Sequence, residues 1–200
     1  MNKFTLLFCV AMLAAAGSAE AQDTRWDAAG HIGLLNRNKA DIGSYDNWYS
    51  VAAIDGTVGR YWTPHFKTEF DIGTAGEGRI YGPYREQRLR ETTVGATAFY
   101  QFFENQWVHP FIGGGVELAH ERVRAAAFRP PTLRLPPTAV PGVPSLAAVD
   151  EVNYSVRPVV SGGFKFYVSP HAFVRTDVRT SLSADRPLAL QWRGGIGFDF

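Results

Sequence analysis

The sequence has a single cysteine, Cys9, and it lies in a segment that export would remove, so the mature chain has no thiol. That excludes a disulfide framework, a cysteine nucleophile and a cysteine-type zinc site. An excess of either charge is also missing. Twenty lysines and arginines against 19 acids leave a net charge of +1, which removes the compositional support for phosphate-neutralising nucleic-acid binding. Only one apolar run is long enough to suggest a membrane helix, and it sits at the N-terminus. With 46% hydrophobic and 14% aromatic residues the chain is equally far from a disordered one, and 200 residues suit one domain.

The apolar run is an address. Met1-Asn2-Lys3 gives a short basic start, Phe4 to Ala16 is continuously apolar, and Ala19-Glu20-Ala21 forms a small-x-small cleavage site before Gln22. A run of about 13 residues falls short of the roughly 20 that a spanning helix needs. Residues 1–21 are therefore expected to be a secretory signal peptide, and 22–200 a single mature domain. Cys9 lies inside the run rather than closing it, so it is not a lipid acceptor.

Beyond residue 22 the dominant period is two. At the C-terminus Leu188, Leu190, Trp192, Ile196, Phe198 and Phe200 alternate with Ala189, Gln191, Arg193, Gly195, Gly197 and Asp199. The same alternation runs through 152–168 and 172–182, and five more such segments lie at about 26–36, 48–62, 66–74, 91–102 and 107–120. These are eight expected strands, each about as long as or longer than the 9 to 11 residues with which a tilted strand crosses a bilayer.

The connections alternate in length. Thr63-Pro64-His65, Glu104-Asn105-Gln106 and Ser169-Pro170 are tight, whereas 37–46, 77–88 and a proline-rich stretch at 121–150 read as long loops. Short turns at one rim and long loops at the other predict an all-β, eight-stranded antiparallel up-and-down transmembrane β-barrel, its termini and short turns periplasmic. Trp62, Phe66, Phe102, Phe103, Trp107, Phe164, Phe166, Tyr167, Phe173, Phe198 and Phe200 gather beside the short turns or the chain end, as an interfacial aromatic girdle does. A soluble barrel with its apolar face inside has no use for such a band. Two residues strain this scheme. Pro158 falls mid-strand, where a bulge is expected, and Arg60 on the outward face is tolerable only at the interface.

With the apolar face outward, the lumen is charged. Asp27, Asp55, Glu69, Asp71, Glu91 and Glu117, with Lys67, come from the first five strands, and Arg157, Lys165, Arg175, Arg179 and Arg193, with Asp177 and Asp199, from the last three. Opposed charges in so narrow a space should pair and plug it. For an enzyme the candidates are thin. His31 points to the lumen, His65, His109 and His171 lie at or near short turns, and His120-Glu121 at the base of the third loop has no serine at a recognisable spacing. No catalytic residue, cofactor or metal ligand is expected. The outer segments carry Arg79, Arg85, Arg88, Arg122, Arg124, Arg129 and Arg134 among Tyr81, Tyr84 and Phe128, guanidinium forks suited to phosphate.

The C-terminal decapeptide Gln191-Trp192-Arg193-Gly194-Gly195-Ile196-Gly197-Phe198-Asp199-Phe200, with Gly59 to Phe66 and His109 to Val116, resembles small OmpA/OmpX-like outer-membrane β-barrel proteins over the whole mature chain. The resemblance implies a bacterial outer-membrane location and a C-terminal signal, Trp192, Ile196, Phe198 and Phe200, read by the insertion machinery. It implies outer-membrane lipid and lipopolysaccharide as surroundings; as a departure from some relatives, no counterpart of their peptidoglycan-binding domain is expected. The expected role is a monomeric, non-enzymatic structural or surface-interaction protein of the envelope. A minor porin-like channel and a lipid-modifying enzyme are the alternatives.

Overall fold

The computed structural model describes residues 26–38, 48–81, 85–102, 107–128, 146–182 and 187–200. The expected signal peptide, Phe103, the Glu104-Asn105-Gln106 turn, Tyr84, Arg129, Arg134 and the proline run at 130–144 lie outside them. The elements are β1 (Trp26–Asn38), β2 (Trp48–Tyr61), β3 (Phe66–Ala75), β4 (Gly78–Tyr81), β5 (Glu86–Gln101), β6 (Val108–Ala125), β7 (Val149–Tyr167), β8 (Ala172–Leu182) and β9 (Pro187–Asp199). Among the described residues there is no helix.

Neighbouring strands pair antiparallel in chain order, except that β3 pairs with β5 rather than with β4, and β9 returns to β1. β3 and β4 are two parts of one strand, interrupted at Gly76-Glu77, and both pair with β5. The β3–β5 ladder closes the sheet into an eight-stranded barrel without a free edge. Trp26 and Phe200 exchange backbone hydrogen bonds at 3.0 and 2.8 Å, so the described ends of the chain meet at the rim that carries the short turns. In those turns Thr63 Oγ1 accepts from the Phe66 amide at 2.9 Å and Ser169 Oγ from the Ala172 amide at 2.9 Å, side chains standing in for ladder partners where the chain reverses.

The alternation sorts as a membrane barrel requires. Ile32, Phe70 and Val156 are 72%, 66% and 73% exposed, whereas Lys165 and Asp177 are each 2% exposed. In water an apolar coat of that extent would drive association; in hydrocarbon it is the solvated face.

Three expectations are corrected. β5 starts at Glu86, β6 runs on to Ala125 and β7 begins at Val149, so both ends of the long third connection are strand. An antiparallel bridge between Phe128 and Leu146 extends that hairpin further. Hydrophobic alternation missed the ends of β5 and β6 because their outward residues are the arginines Arg88, Arg90, Arg122 and Arg124. Second, Pro158 makes no bulge. The β6–β7 register runs unbroken through Val116↔Pro158, and the β7–β8 ladder ends at Val159↔Ser181, one residue short of it. The missing N–H thus falls where β7 has a ladder on one side only. The register shift in β8–β9 lies at Ser181/Leu182 instead. Third, two members of the expected girdle face inward: Phe173 is buried, and the Tyr167 hydroxyl donates to Asp199. Arg60 stands where the interface tolerates it, its guanidinium 4.4 Å from the Trp62 ring centre and 5.4 Å from that of Trp26.

Candidate functional site: a charged lumen

The strands bring Asp55, Glu69, Asp71, Glu91, Glu117, Arg157, Lys165, Arg175, Asp177, Arg179 and Arg193 into one interior, in three tiers. The lowest is built on Lys165, whose ammonium donates to Asp199 Oδ1 at 2.6 Å, the Tyr61 hydroxyl at 2.8 Å and Asp27 Oδ2 at 3.2 Å. Lys67 meets the same Asp27 oxygen at 2.7 Å and Glu69 Oε2 at 2.6 Å. Aromatic rings wall this tier. Lys165 Nζ lies 3.8 Å from the centre of Phe173, and Phe99 packs edge-on against Phe111 at 5.3 Å. The rings keep water from the ammonium while their faces attract it.

The middle tier crosses the barrel. Arg175 donates through Nη1 to Glu69 at 2.6 Å and through Nε to Asp177 at 2.8 Å. Asp177 also accepts from Arg193 Nε at 2.7 Å, and Arg193 Nη1 reaches Asp55 at 3.1 Å, where His31 Nδ1 lies 3.0 Å away. Arg179 spans Asp71 at 2.8 Å and Glu117 at 3.1 Å, and Ser181 Oγ donates to Glu117. Acids of β2, β3 and β6 thus meet bases of β8 and β9 across the lumen, a consequence of the segregation visible in the sequence. Forked guanidinium groups suit this role because each engages two carboxylates at once.

Glu91 and Glu121 form the upper tier. They are direct register partners on β5 and β6, and would repel if left alone. Arg37 contacts both, and so does Arg157, with Nη1 3.1 Å from Glu91 Oε1. Arg37 and Glu121 are buried lumen residues that the sequence reading places in loops. Their place on the strand parity, Arg37 in step with Leu35 and Glu121 with Glu117, is the signal that could have found them.

Glycines make the network possible. A Cβ built on Gly95 would stand 2.6 Å from Asp71 Oδ1 and 2.8 Å from Arg179 Nη2, inside their ion pair. Gly95→Val is expected to lower barrel stability by about 1–3 kcal/mol through overpacking, read as a lower urea midpoint for unfolding in lipid vesicles.

Between the middle and upper tiers is a cavity of about 30 Å³, bounded by Leu35, Ala53, Ala75 and Ala189 on one side and by Asp71, Glu117 and Arg179 on the other. It has room for a water or two and no more. The His120-Glu121 candidate does not form a pair. Glu121 points into the lumen, while His120 lies on the outer face with its ring 5.0 Å from that of Tyr154. Among the described residues no group of three or more His, Cys, Asp or Glu could hold a metal ion.

Outside the hydrocarbon, Arg122 forks onto Asp150 through Nε at 2.8 Å and Nη2 at 2.7 Å. That hydrogen-bonded fork holds the Asp150 carboxyl below its ordinary value.

Similar architectures occur among solved structures. Neisserial surface protein A superposes with a TM-score of 0.54 at 14% identity, over 90% of this chain and 100% of that one. The attachment invasion locus protein Ail of Yersinia pestis gives 0.51 at 12% identity, over 88% and 99%. The N-terminal barrel domain of Pseudomonas aeruginosa OprF gives 0.50 at 13%, over 86% and 97%. A search of curated proteins finds no match. The model of the outer membrane protein beta-barrel domain matches residues 5–200. The chain therefore belongs to the outer membrane protein beta-barrel domain family and is a bacterial outer-membrane protein of the OmpA/OmpX-like type.

Proposed function

We propose that the protein is a closed, monomeric barrel with a structural and surface-interaction role in the envelope. The lumen is shut by its ion pairs, and the molecule acts through its outer rim. The observation that carries this reading is that two buried ion-pair clusters occupy the interior in turn, one from Asp199 and Lys165 near the short-turn rim up to Arg193 and Asp55, the other from Asp71 and Arg179 up to Arg37 and Glu121 near the opposite rim. An eight-stranded barrel leaves only enough interior for side chains, and here they are paired. A path for hydrated ions would require several buried charges to separate at once.

The reading includes no catalysis, no cofactor and no nucleic-acid partner; its neighbours are outer-leaflet lipid and lipopolysaccharide. Trp192, Ile196 and Phe200, at 56%, 66% and 48% exposure, supply the apolar outward face that the insertion machinery is proposed to read during assembly. In planar bilayers the purified barrel is expected to give no steady conductance. A constant large conductance would replace the plugged reading with that of a minor channel.

A further inference from the structure

The polarity of the sheet reverses partway up β5 and β6. From Tyr100 to Val94 and from Ile112 to Leu118 the outward residues are small or apolar, the inward positions include Thr97 and Glu117, and Glu91 and Glu121 close the inward row above them. Above Glu91 and Glu121 the inward residues become Leu89, Val123 and Ala125, all buried, and the outward ones become arginine. The switch lies about ten residues above the short-turn rim, the span with which a tilted strand crosses hydrocarbon. It marks the edge of the outer leaflet on this wall.

At that edge the register sets arginine opposite arginine, Arg90↔Arg122 and then Arg88↔Arg124, with Arg79 beside Arg88 on β4. Directly opposed like charges destabilise a sheet unless something neutralises them. The acids at hand do this in part. Asp150 takes the fork of Arg122 and lies 3.6 Å from Arg124, while Glu77 and Glu86 stand 3.4–3.5 Å from Arg79 and Arg88. Arg90 has no carboxylate within ion-pair distance among the described residues, although it faces Arg122. The row immediately below is Thr92, His120 and Tyr154, and below that is the apolar belt of Val94, Leu118 and Val156.

We propose that this ladder is a binding site for the phosphate groups of a phosphorylated outer-leaflet glycolipid, with Arg90 and Arg122 as its centre. The occupant follows from the stacking of two surfaces. Acyl chains lie against Val94, Leu118 and Val156, and a phosphate linked to the same molecule arrives at the height of the guanidinium forks. A soluble anion matches only the upper surface and an apolar partner only the lower. The inference deepens the reading of the outer rim as a surface for lipid.

The test uses the full barrel refolded in a neutral detergent. Titrating purified bis-phosphorylated lipid A is expected to raise the unfolding temperature, and the double variant Arg90→Gln/Arg122→Gln to need about tenfold more lipid or more for the same rise. Lipid A stripped of its phosphates, and inorganic phosphate alone, are expected to give the wild type no comparable rise. The heat-modifiable gel mobility of the variant without lipid should equal that of the wild type, which separates a lost site from a lost fold. An equal response of variant and wild type, an equal effect of the stripped lipid, or stabilisation by inorganic phosphate alone would overturn the proposal. So would a variant whose only change is in oligomeric state. Loss of lipid binding in the variant would support the lipid site whether or not the barrel conducts in bilayers, since the two readouts are independent.

Discussion

Asp177→Ala is expected to lower the stability of the folded barrel by about 3–5 kcal/mol, because it breaks a buried ion-pair network by removing one partner. The Asp177 carboxylate accepts from Arg175 Nε at 2.8 Å and from Arg193 Nε at 2.7 Å, with no solvent exposure to its side chain. Removing it leaves two buried guanidinium groups facing each other, each with a single carboxylate left, Glu69 or Asp55. Asp177→Asn keeps the shape and an acceptor oxygen but not the charge, and should fall between the wild type and the alanine variant. Urea unfolding in lipid vesicles, followed by gel mobility of the unboiled protein, measures the loss as a lower midpoint with an unchanged slope. A further sign distinguishes a network from a set of independent contacts. Arg193→Met should cost less in the Asp177→Ala background than alone, since its charge there has already lost a partner. An Asp177→Ala barrel that unfolds at the wild-type midpoint would mean that the network contributes nothing to stability.

A whole cluster replaced by apolar residues of similar volume need not be less stable than the original. On the proposed reading, what the ion pairs supply is a closed interior with one arrangement. Arg157 illustrates this: its guanidinium is shared between Glu91, Glu117 and Glu121, and so ties β7 to both β5 and β6.

The barrel was legible because two signals with different physical origins agree. Period-two alternation requires only that strands have two unlike faces, and the alternation of short and long connections requires only that the two rims meet different surroundings. Neither signal depends on knowing a contact. The charged interior was legible for the same reason, since Glu69, Asp71, Arg175 and Asp177 keep one parity along their strands. Partner choice was not. Which acid meets Arg179 depends on the tilt and stagger of the closed sheet, which set β8 against β3 and β6 across the lumen. The ends of β5 and β6 were hidden because the hydrophobic face changes sides at their upper ends. Arg88, Arg90, Arg122 and Arg124 occupy the parity that Val94 and Leu118 occupy below, so a search for greasy outward residues stops short. The aromatic girdle misled in a similar way. Phe173 and Tyr167 lie at the height of the girdle residues but on the inward parity, and depth alone does not say which way a ring points.

Phe70→Arg is expected to destabilise the barrel in vesicles by about 2–4 kcal/mol, the cost of an arginine on the lipid face at the bilayer midplane. Phe70 lies near the middle of β3, paired with Val58 and Ala96, and is 66% exposed. For a soluble barrel with the same coordinates that exposure would make the change nearly neutral, within about 0.5 kcal/mol, because an exposed phenylalanine in water loses little on becoming charged. The two environments therefore predict different outcomes for one substitution. A companion variant fixes the depth scale: Thr92→Arg, two residues below Arg90 at the polarity switch, should cost only about 0–1 kcal/mol. The contrast between the two, read from urea midpoints under identical lipid conditions, locates the outer edge of the hydrocarbon on the β5–β6 wall. Near-zero costs at both positions would show that neither faces hydrocarbon, and equal costs of about 2–4 kcal/mol would put Thr92 as deep as Phe70; either result would move the arginine ladder out of the headgroup layer.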